Sequence, residues 1–126
     1  MRWIDGNIDW ILIVSGLGTA TMLSMTAAPN FASRFLFGED ITTRSGIVMA
    51  KSWGMMIFLS GMAMIYATLH PWVRLPVMLY ALLGKLSFVV PVLAAPQYRN
   101  KPAFGAAIAD LVIVVLFAWY LWPELF

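Results

Sequence analysis

Two charged residues lie deep inside long apolar stretches of the sequence, and they are the best placed to do chemistry. Lys85 falls near the middle of one stretch, and Asp110 lies a little over two helical turns into the next. Counted from the connection between these stretches at about 1.5 Å per helical residue, Lys85 is about 15 Å deep and Asp110 about 10 Å deep. An isolated charge at the centre of a bilayer costs at least about 2.5–3.5 kcal/mol, so we expect the two side chains to pair.

A third charge, Lys51, enters another apolar stretch from the same side, at a depth of roughly 6–7 Å by the same count. Two interpretations are open. In the first, Lys51, Lys85 and Asp110 form a polar site inside the protein that relays protons or anchors an anionic or carbonyl group. In the second, Lys85 and Asp110 are a structural ion pair that fixes helix register, and the Lys51 side chain extends to the membrane surface.

The single histidine is the remaining candidate ligand. His70 lies at the end of the second apolar stretch, directly before Pro71, where it either binds a haem or pigment as one axial ligand or caps the helix at the interface. The chain has one His and no Cys, which excludes a bis-histidine haem within one chain, thiolate metal sites and thiol catalysis. No hydrolase, metalloprotease or nucleotide-binding motif is present either. The sequence therefore predicts no catalytic residue, no metal site and no evident cofactor, while a bound lipid or quinone is compatible with it.

The composition indicates an integral membrane protein. Of the 126 residues, 62% are hydrophobic and 11% are charged, and the mean hydropathy is +0.85. Soluble domains are about 45–50% apolar and about 25% charged. These values exclude a soluble enzyme, a nucleic-acid-binding module and a disordered chain, so we expect no nucleic acid among the partners.

Four apolar stretches have the length that a helix needs to cross a hydrocarbon core of about 30 Å. They predict transmembrane helices, in a single domain, at about 8–28, 46–69, 72–95 and 102–122. Because the last two connections are short, consecutive helices must be antiparallel, and the prediction is an all-α, up-down four-helix bundle. The longer first connection, from Pro29 to Ser45, mixes aromatic and polar residues, which is typical of a short amphipathic helix in the interface or of a loop with aromatic anchors.

Small residues predict where the transmembrane helices approach one another, because they let two backbones come close. They serve either packing inside the bundle or a dimerisation face. The candidates are Gly16, Ala20 and Ser24 in the first helix, Gly54 in the second, Gly84 in the third, and Gly105 and Ala109 in the fourth.

Tryptophans and basic residues are unequally distributed between the two ends of the predicted bundle. The end that carries both termini holds an aromatic set typical of an interfacial belt, namely Trp3, Trp10, Trp72, Trp119 and Trp122. The opposite end holds Arg34, Arg44, Arg99 and Lys101, against Arg2 and Arg74 at the terminal end. The positive-inside rule therefore predicts that the first and third connections are cytoplasmic and that both termini lie on the outer side of the membrane.

Three short motifs resemble a known group of proteins. They are Lys51-Ser52-Trp53-Gly54 followed by Gly61, then Gly84-Lys85, and then Ala109-Asp110-Leu111 running into Phe117-Ala118-Trp119-Tyr120-Leu121. Together they resemble the small four-helix bacterial inner-membrane proteins grouped as DoxX-like. The resemblance implies that Trp53, Gly54, Gly84, Lys85 and Asp110 are the characteristic residues. It supplies no cofactor ligand, and it implies an association, seen in some relatives, with quinol-oxidase or oxidative-stress membrane complexes.

These observations favour a non-catalytic integral membrane subunit, or an assembly factor, of a larger membrane complex such as a respiratory one. Its expected partners are membrane lipids and either other membrane-protein subunits or further copies of itself. Two alternatives use the intramembrane pair Lys85 and Asp110. One is a small proton-linked transporter, and the other is a protein that binds a quinone or another lipophile.

Overall fold

The computed structural model describes residues 3–125, with side chains as far as residue 123, and this part of the chain contains helices and no strand. The all-α fold class is therefore confirmed. Arg2, which entered the charge count above, lies outside the described residues. The helices are α1 (Trp3–Ala20), α2 (Leu23–Ala27), α3 (Pro29–Phe37), α4 (Arg44–Leu69), α5 (Arg74–Ala94) and α6 (Pro102–Leu125). Short 3-10 turns, Pro71–Val73 and Pro96–Tyr98, connect α4 to α5 and α5 to α6.

Four helical segments are long and apolar enough to cross a membrane: Trp3–Ala27, Arg44–Leu69, Pro71–Ala94 and Pro102–Pro123. The first begins at Trp3 rather than at residue 8, because Ile4 and Ile8 extend the buried face of α1 by more than a turn. α4 begins where Thr43 caps it, since the Thr43 hydroxyl accepts a hydrogen bond of 3.0 Å from the Gly46 N–H.

The first membrane segment is not the continuous helix that the sequence predicted. It is interrupted at Thr21 and Met22, whose N–H groups donate to the carbonyls of Gly18 and Thr19, three residues back, at 3.3 and 3.1 Å. The Thr21 hydroxyl also donates to the Gly18 carbonyl, at 2.5 Å, and so competes with the regular helical hydrogen bonds. Irregular backbone at membrane depth is tolerated only where it is buried in protein or lines a cavity.

The four long helices pack in a ring: α1 against α4, α4 against α5, α5 against α6, and α6 against α1. We call the end where α1 begins and α6 ends the terminal end, and the end that carries α3 the loop end. One core cluster lies towards the terminal end and includes Ile8, Leu12, Met64, Met78 and Phe117. The other lies towards the loop end and includes Met25, Leu36, Val89, Ala103 and Ala107.

The closest helix contact is made by glycines of α1 and α4. A Cβ atom added to Gly61 would lie 2.6 Å from the Gly16 carbonyl oxygen and 2.8 Å from the Ala20 backbone nitrogen. A Cβ added to Gly54 would lie 2.8 Å from the Met22 carbonyl oxygen. Gly16 and Ala20 thus pack inside the bundle, which is one of the two roles predicted for them. Gly61 is a further packing residue that was not among the predicted ones.

The other predicted packing residues have weaker roles inside the bundle. A Cβ at Gly84 would be 4.0 Å from the Ile57 side chain, which is an ordinary contact, and Ser24 borders a cavity described below. On α6, a Cβ at Gly105 would meet nothing within 4 Å, and both Gly105 and Ala109 are exposed on the outer surface. Of the two predicted roles, packing inside the bundle therefore does not apply to Gly105 and Ala109, which lie on the outward face of α6, and a dimerisation face stays a prediction.

The connection between α2 and α4 contains a short helix, α3. Of the two predicted alternatives, a short helix and a loop with aromatic anchors, the structure thus has the helix. α3 begins with Pro29 and ends at Gly38, whose φ of 75° is the left-handed conformation that glycine adopts readily. Ala32 and Leu36 are buried against the bundle, whereas Phe31 and Phe35 are exposed. The helix is therefore amphipathic, as expected for a segment in the membrane interface.

Candidate functional site

The structure brings Lys85 and Asp110 together. The Lys85 ammonium donates a hydrogen bond of 2.8 Å to Asp110 Oδ1 and a second one of 2.9 Å to the Thr19 hydroxyl. The Lys85 side chain is 8% exposed and that of Asp110 is 28% exposed. The ion pair thus joins α5 to α6 and, through Thr19, to α1.

The position of Lys85 follows from the helical repeat of α5. Its buried residues recur at intervals of three or four: Met78, Ala81, Lys85, Val89 and Val92. Lys85 occupies the middle of this inward-facing stripe, so its ammonium must find partners inside the bundle. Asp110 and Thr19 supply them from the two neighbouring helices.

Thr19 is a site residue that the sequence analysis missed. It is buried, one turn after the buried Ser15, and it directly precedes the interruption of the first membrane segment. The sequence does contain a signal for Thr19, because Ser15 and Thr19 are hydroxyl residues four positions apart and therefore share one face of an apolar helix. Only the packing of α1 against the bundle shows that this face is directed towards Lys85.

A cavity of about 740 Å³ borders the ion pair, and residues of all six helices line it. Its wall is mainly apolar and aromatic, with Phe31 and Phe35 from α3, Trp53 from α4, and Tyr80 and Phe88 from α5. The hydroxyl groups in the wall belong to Thr19, Thr21, Ser24, Ser60 and Tyr80. Its volume is within the range of about 300–1,000 Å³ that is typical of small-molecule sites.

An aromatic cluster forms the loop-end wall of this cavity. Trp53 stacks on Phe88 with a centroid distance of 5.9 Å and an interplanar angle of 27°. Phe37 contacts Phe88 edge-on, at 6.5 Å, and Tyr98 at 5.0 Å. Trp53 is thereby placed in the wall, whereas the five tryptophans of the predicted belt are not among the lining residues.

Lys51 is not part of this arrangement. Its side chain is exposed and does not line the cavity, and its backbone carbonyl accepts a hydrogen bond of 2.8 Å from the Thr26 hydroxyl. The interpretation in which Lys51 forms one site with Lys85 and Asp110 is therefore wrong. Lys51 lies on the outer face of the first turns of α4, close enough to the loop end for its long side chain to reach the membrane surface.

His70 lies at the terminal end, among aromatic side chains. Its ring stacks on Tyr66 at a centroid distance of 3.9 Å and meets Trp72 edge-on at 4.9 Å. Nδ1 is 3.2 Å from the Tyr66 carbonyl oxygen. Across residues 3–123, no three His, Asp or Glu side chains are grouped so that they could hold a metal ion. The surroundings of His70 fit an interfacial residue that ends α4.

The predicted aromatic belt is assembled at the terminal end. Trp3 stacks on Trp119 at 6.4 Å and contacts Trp10 edge-on at 6.3 Å. The Trp10 indole N–H donates a hydrogen bond of 2.8 Å to the Asn7 side chain. Trp72 and Trp122 are also exposed at this end, so the set surrounds the bundle where the headgroup layer of a membrane would be.

Fold and site together define the class of this protein: a small all-α protein with four helices able to span a membrane, arranged around a buried ion pair and an apolar cavity. No protein family, no curated protein and no solved structure matches the chain.

Proposed function

We propose that this protein binds a lipophilic molecule inside the membrane, in the cavity beside Lys85 and Asp110. The observation that carries the proposal is the cavity itself, whose wall is mainly apolar and contains a buried ion pair. Phe31, Phe35 and Tyr80 in this wall are exposed, so the cavity is open on one side and a molecule can enter it from the membrane. An ion pair that served register alone would need no such cleft beside it.

The cavity wall suits a ligand with a long apolar part and one polar group. Aromatic side chains from three helices supply the surface for the apolar part, while Lys85, Asp110 and Thr19 supply polar contacts at one place. A quinol, the reduced form of a quinone, combines an apolar tail with ring hydroxyl groups, and the resemblance to DoxX-like proteins, some of them associated with quinol-oxidase complexes, supports this class of ligand. The proposal assigns no catalytic step to the pair.

We place the protein in a bacterial inner membrane, with the loop end on the cytoplasmic side and the termini in the periplasm. Arg34, Arg44, Arg99 and Lys101 at the loop end support this orientation through the positive-inside rule. Most of the cavity then lies in the cytoplasmic half of the bilayer, and Ser60 of α4 and Tyr80 of α5 extend its wall past the middle of their helices.

Native mass spectrometry of the protein, purified from membranes in mild detergent, tests the binding proposal. We expect the wild type to carry a lipophile and the Ala106→Phe variant to lose most of it, because Ala106 lines the cavity and phenylalanine would occupy that space. Ala118→Phe, at an exposed position of the same helix outside the cavity, is the matched control and should keep the ligand. The proposal fails if the wild type carries no lipophile, or if Ala106→Phe retains it as Ala118→Phe does.

We also propose that the protein is a subunit of a larger membrane assembly, through the outer face of α6. The supporting observation is that Gly105 and Ala109 are exposed there, which leaves room for another helix to approach closely. Because the chain has no Cys, a single Ala109→Cys variant can be cross-linked cleanly in native membranes. It should form an adduct with a second chain, and Leu83→Cys, equally lipid-facing on α5, should not. Equal adduct formation by both variants would contradict this second proposal.

A further inference from the structure

We infer that the ligand of this cavity is an uncharged lipophile whose polar group is a hydroxyl, an inference that rests on the proposed binding function. The charged groups that would meet the ligand are the Lys85 ammonium and the Asp110 carboxylate, joined to each other at 2.8 Å. Their charges and their remaining hydrogen-bonding capacity together select the ligand class.

The charge of the cavity wall excludes a charged head group. Lys85 and Asp110 are the two charged residues among those that line the cavity, and their formal charges cancel. A phosphate, sulfate or carboxylate placed there would compete with Asp110 for Lys85 and would leave one negative charge without a counter-charge beside a mainly apolar wall. A quaternary ammonium would compete with Lys85 for Asp110 in the same way.

The hydrogen bonds of the pair favour a hydroxyl over a carbonyl group. A lysine ammonium has three donor protons, and Lys85 uses two of them, towards Thr19 and Asp110. Asp110 accepts through Oδ1, and no described residue donates to its Oδ2. One donor proton of Lys85 and one acceptor oxygen of Asp110 therefore remain available, on two paired residues that both line the cavity. A hydroxyl can accept from the first and donate to the second, whereas a ketone or ester can only accept.

Fluorescence quenching tests this inference, because Trp53 lines the cavity and the other tryptophans do not. We would add three mid-chain-brominated probes of equal chain length to the detergent-solubilised protein: a primary alcohol, its sulfate ester and the parent alkane. The difference between the wild type and Trp53→Phe isolates the quenching of Trp53. The quenching that remains in Trp53→Phe reports on the terminal-end tryptophans, and so measures how much of each probe has entered the micelle.

At equal loading of the micelle, we expect the alcohol to quench Trp53 at a concentration at least about tenfold lower than the sulfate ester. The alcohol should also act at a lower concentration than the alkane, and this advantage should vanish in the Lys85→Met, Asp110→Leu double variant. The inference is overturned if the sulfate ester equals or exceeds the alcohol, or if the double variant keeps the preference. The comparison of probes in the wild type needs only Trp53→Phe, so it remains decisive if the double variant does not fold.

The same experiment separates this inference from the binding proposal on which it rests. If no probe quenches Trp53 beyond the level of the terminal-end tryptophans, the binding proposal itself fails. If probes do enter the cavity but the anionic one is preferred, binding stands and the assignment of the ligand as an uncharged hydroxyl compound falls.

Discussion

The buried cation Lys85 is the residue on which the site depends. It occupies the centre of a stripe of α5 that otherwise holds apolar side chains, and its partners Asp110 and Thr19 belong to two other helices. The partners differ in exposure, since the side chain of Asp110 is 28% exposed and that of Lys85 is 8% exposed. Removing one partner should therefore not cost the same as removing the other.

Replacement of either charge alone should destabilise the protein, and Asp110→Leu should do so more than Lys85→Met. Asp110→Leu leaves a nearly buried ammonium with only Thr19 as a partner, for which we expect a loss of about 3–5 kcal/mol in the free energy of unfolding. Lys85→Met leaves a carboxylate that borders the cavity and, being more exposed, is more readily hydrated. Unfolding titrations in mixed detergent micelles measure both values.

The double variant, Lys85→Met with Asp110→Leu, should be close to the wild type in stability, because apolar replacement of a whole buried ion pair is often neutral or stabilising. A double variant as unstable as Asp110→Leu alone would show that the two residues do not act as a pair. The same variant decides the proton-linked transporter alternative, since a transporter that relied on this pair would lose all transport without it.

At the scale of elements, glycine contacts and a helix interruption determine how α1 meets the rest of the bundle. The Gly16–Gly61 contact brings two backbones close together towards the middle of the bundle. A few residues further on, the first segment is interrupted and α2 continues along α4, with Met22 against Gly54. The interruption leaves Thr19 at the end of the regular hydrogen bonding of α1, beside Lys85.

Gly61→Ala should destabilise the bundle, because its Cβ would lie 2.6 Å from the Gly16 carbonyl oxygen and α1 would have to move. A loss of about 1–3 kcal/mol is typical of overpacking. Gly105→Ala is the matched control, since its Cβ would meet nothing within 4 Å and alanine favours a helix by up to about 1 kcal/mol. Thermal unfolding in detergent compares the two, and an equal effect of both changes would refute the close α1–α4 contact.

The segment that follows α3 has a charge contact whose strength depends on pH. The hydrogen bond and the positive charge of Arg34 hold the pKa of the Asp40 carboxyl below its ordinary value. Because the pKa is lowered in the folded state, the contact contributes stability fully above the unfolded value of about 3.9, and the contribution disappears as the pH falls through the lower folded value.

Asp40→Asn should therefore lower the melting temperature slightly at about pH 6, and the difference from the wild type should shrink as the pH falls below about 3.9. The effect should be small, since both side chains are largely exposed to solvent. In an Arg34→Gln background, Asp40→Asn should have no such pH-dependent effect. A difference that widened at low pH would contradict the assigned direction of the pKa shift.

At the scale of the whole molecule, the two ends of the bundle differ in chemistry. The terminal end carries the exposed tryptophans, while the loop end carries the basic residues, α3 and the cavity. Tryptophans favour the headgroup layer on either side of a membrane, whereas an excess of basic residues favours the cytoplasmic side, so the basic residues are the basis of the proposed orientation.

Cysteine accessibility in intact bacterial cells should reveal that orientation. Asn100→Cys marks the third connection and Trp72→Cys marks the second, both at exposed positions of a chain that has no Cys of its own. A membrane-impermeant thiol reagent should label Trp72→Cys directly and Asn100→Cys only after the membrane is permeabilised. The reverse pattern would place the cavity in the periplasmic half of the bilayer.

The sequence by itself determined the class of the protein and the number of its membrane segments, because apolar length and composition depend on neighbours along the chain rather than on packing. It also indicated that Lys85 and Asp110 would pair, because two opposite charges at similar depth in adjacent antiparallel helices have few other partners. Only the tertiary structure decided which further residues joined them. Thr19 faces Lys85, whereas Lys51 faces outward. Both residues lie at a membrane depth from which a side chain could reach the ion pair. Three further features likewise depend on how each helix is turned about its axis. They are the cavity, the interruption at Thr21 and the outward position of Gly105. That rotation is set by contacts between segments far apart in the chain, and in a sequence that is apolar on nearly every helix face no local pattern specifies it.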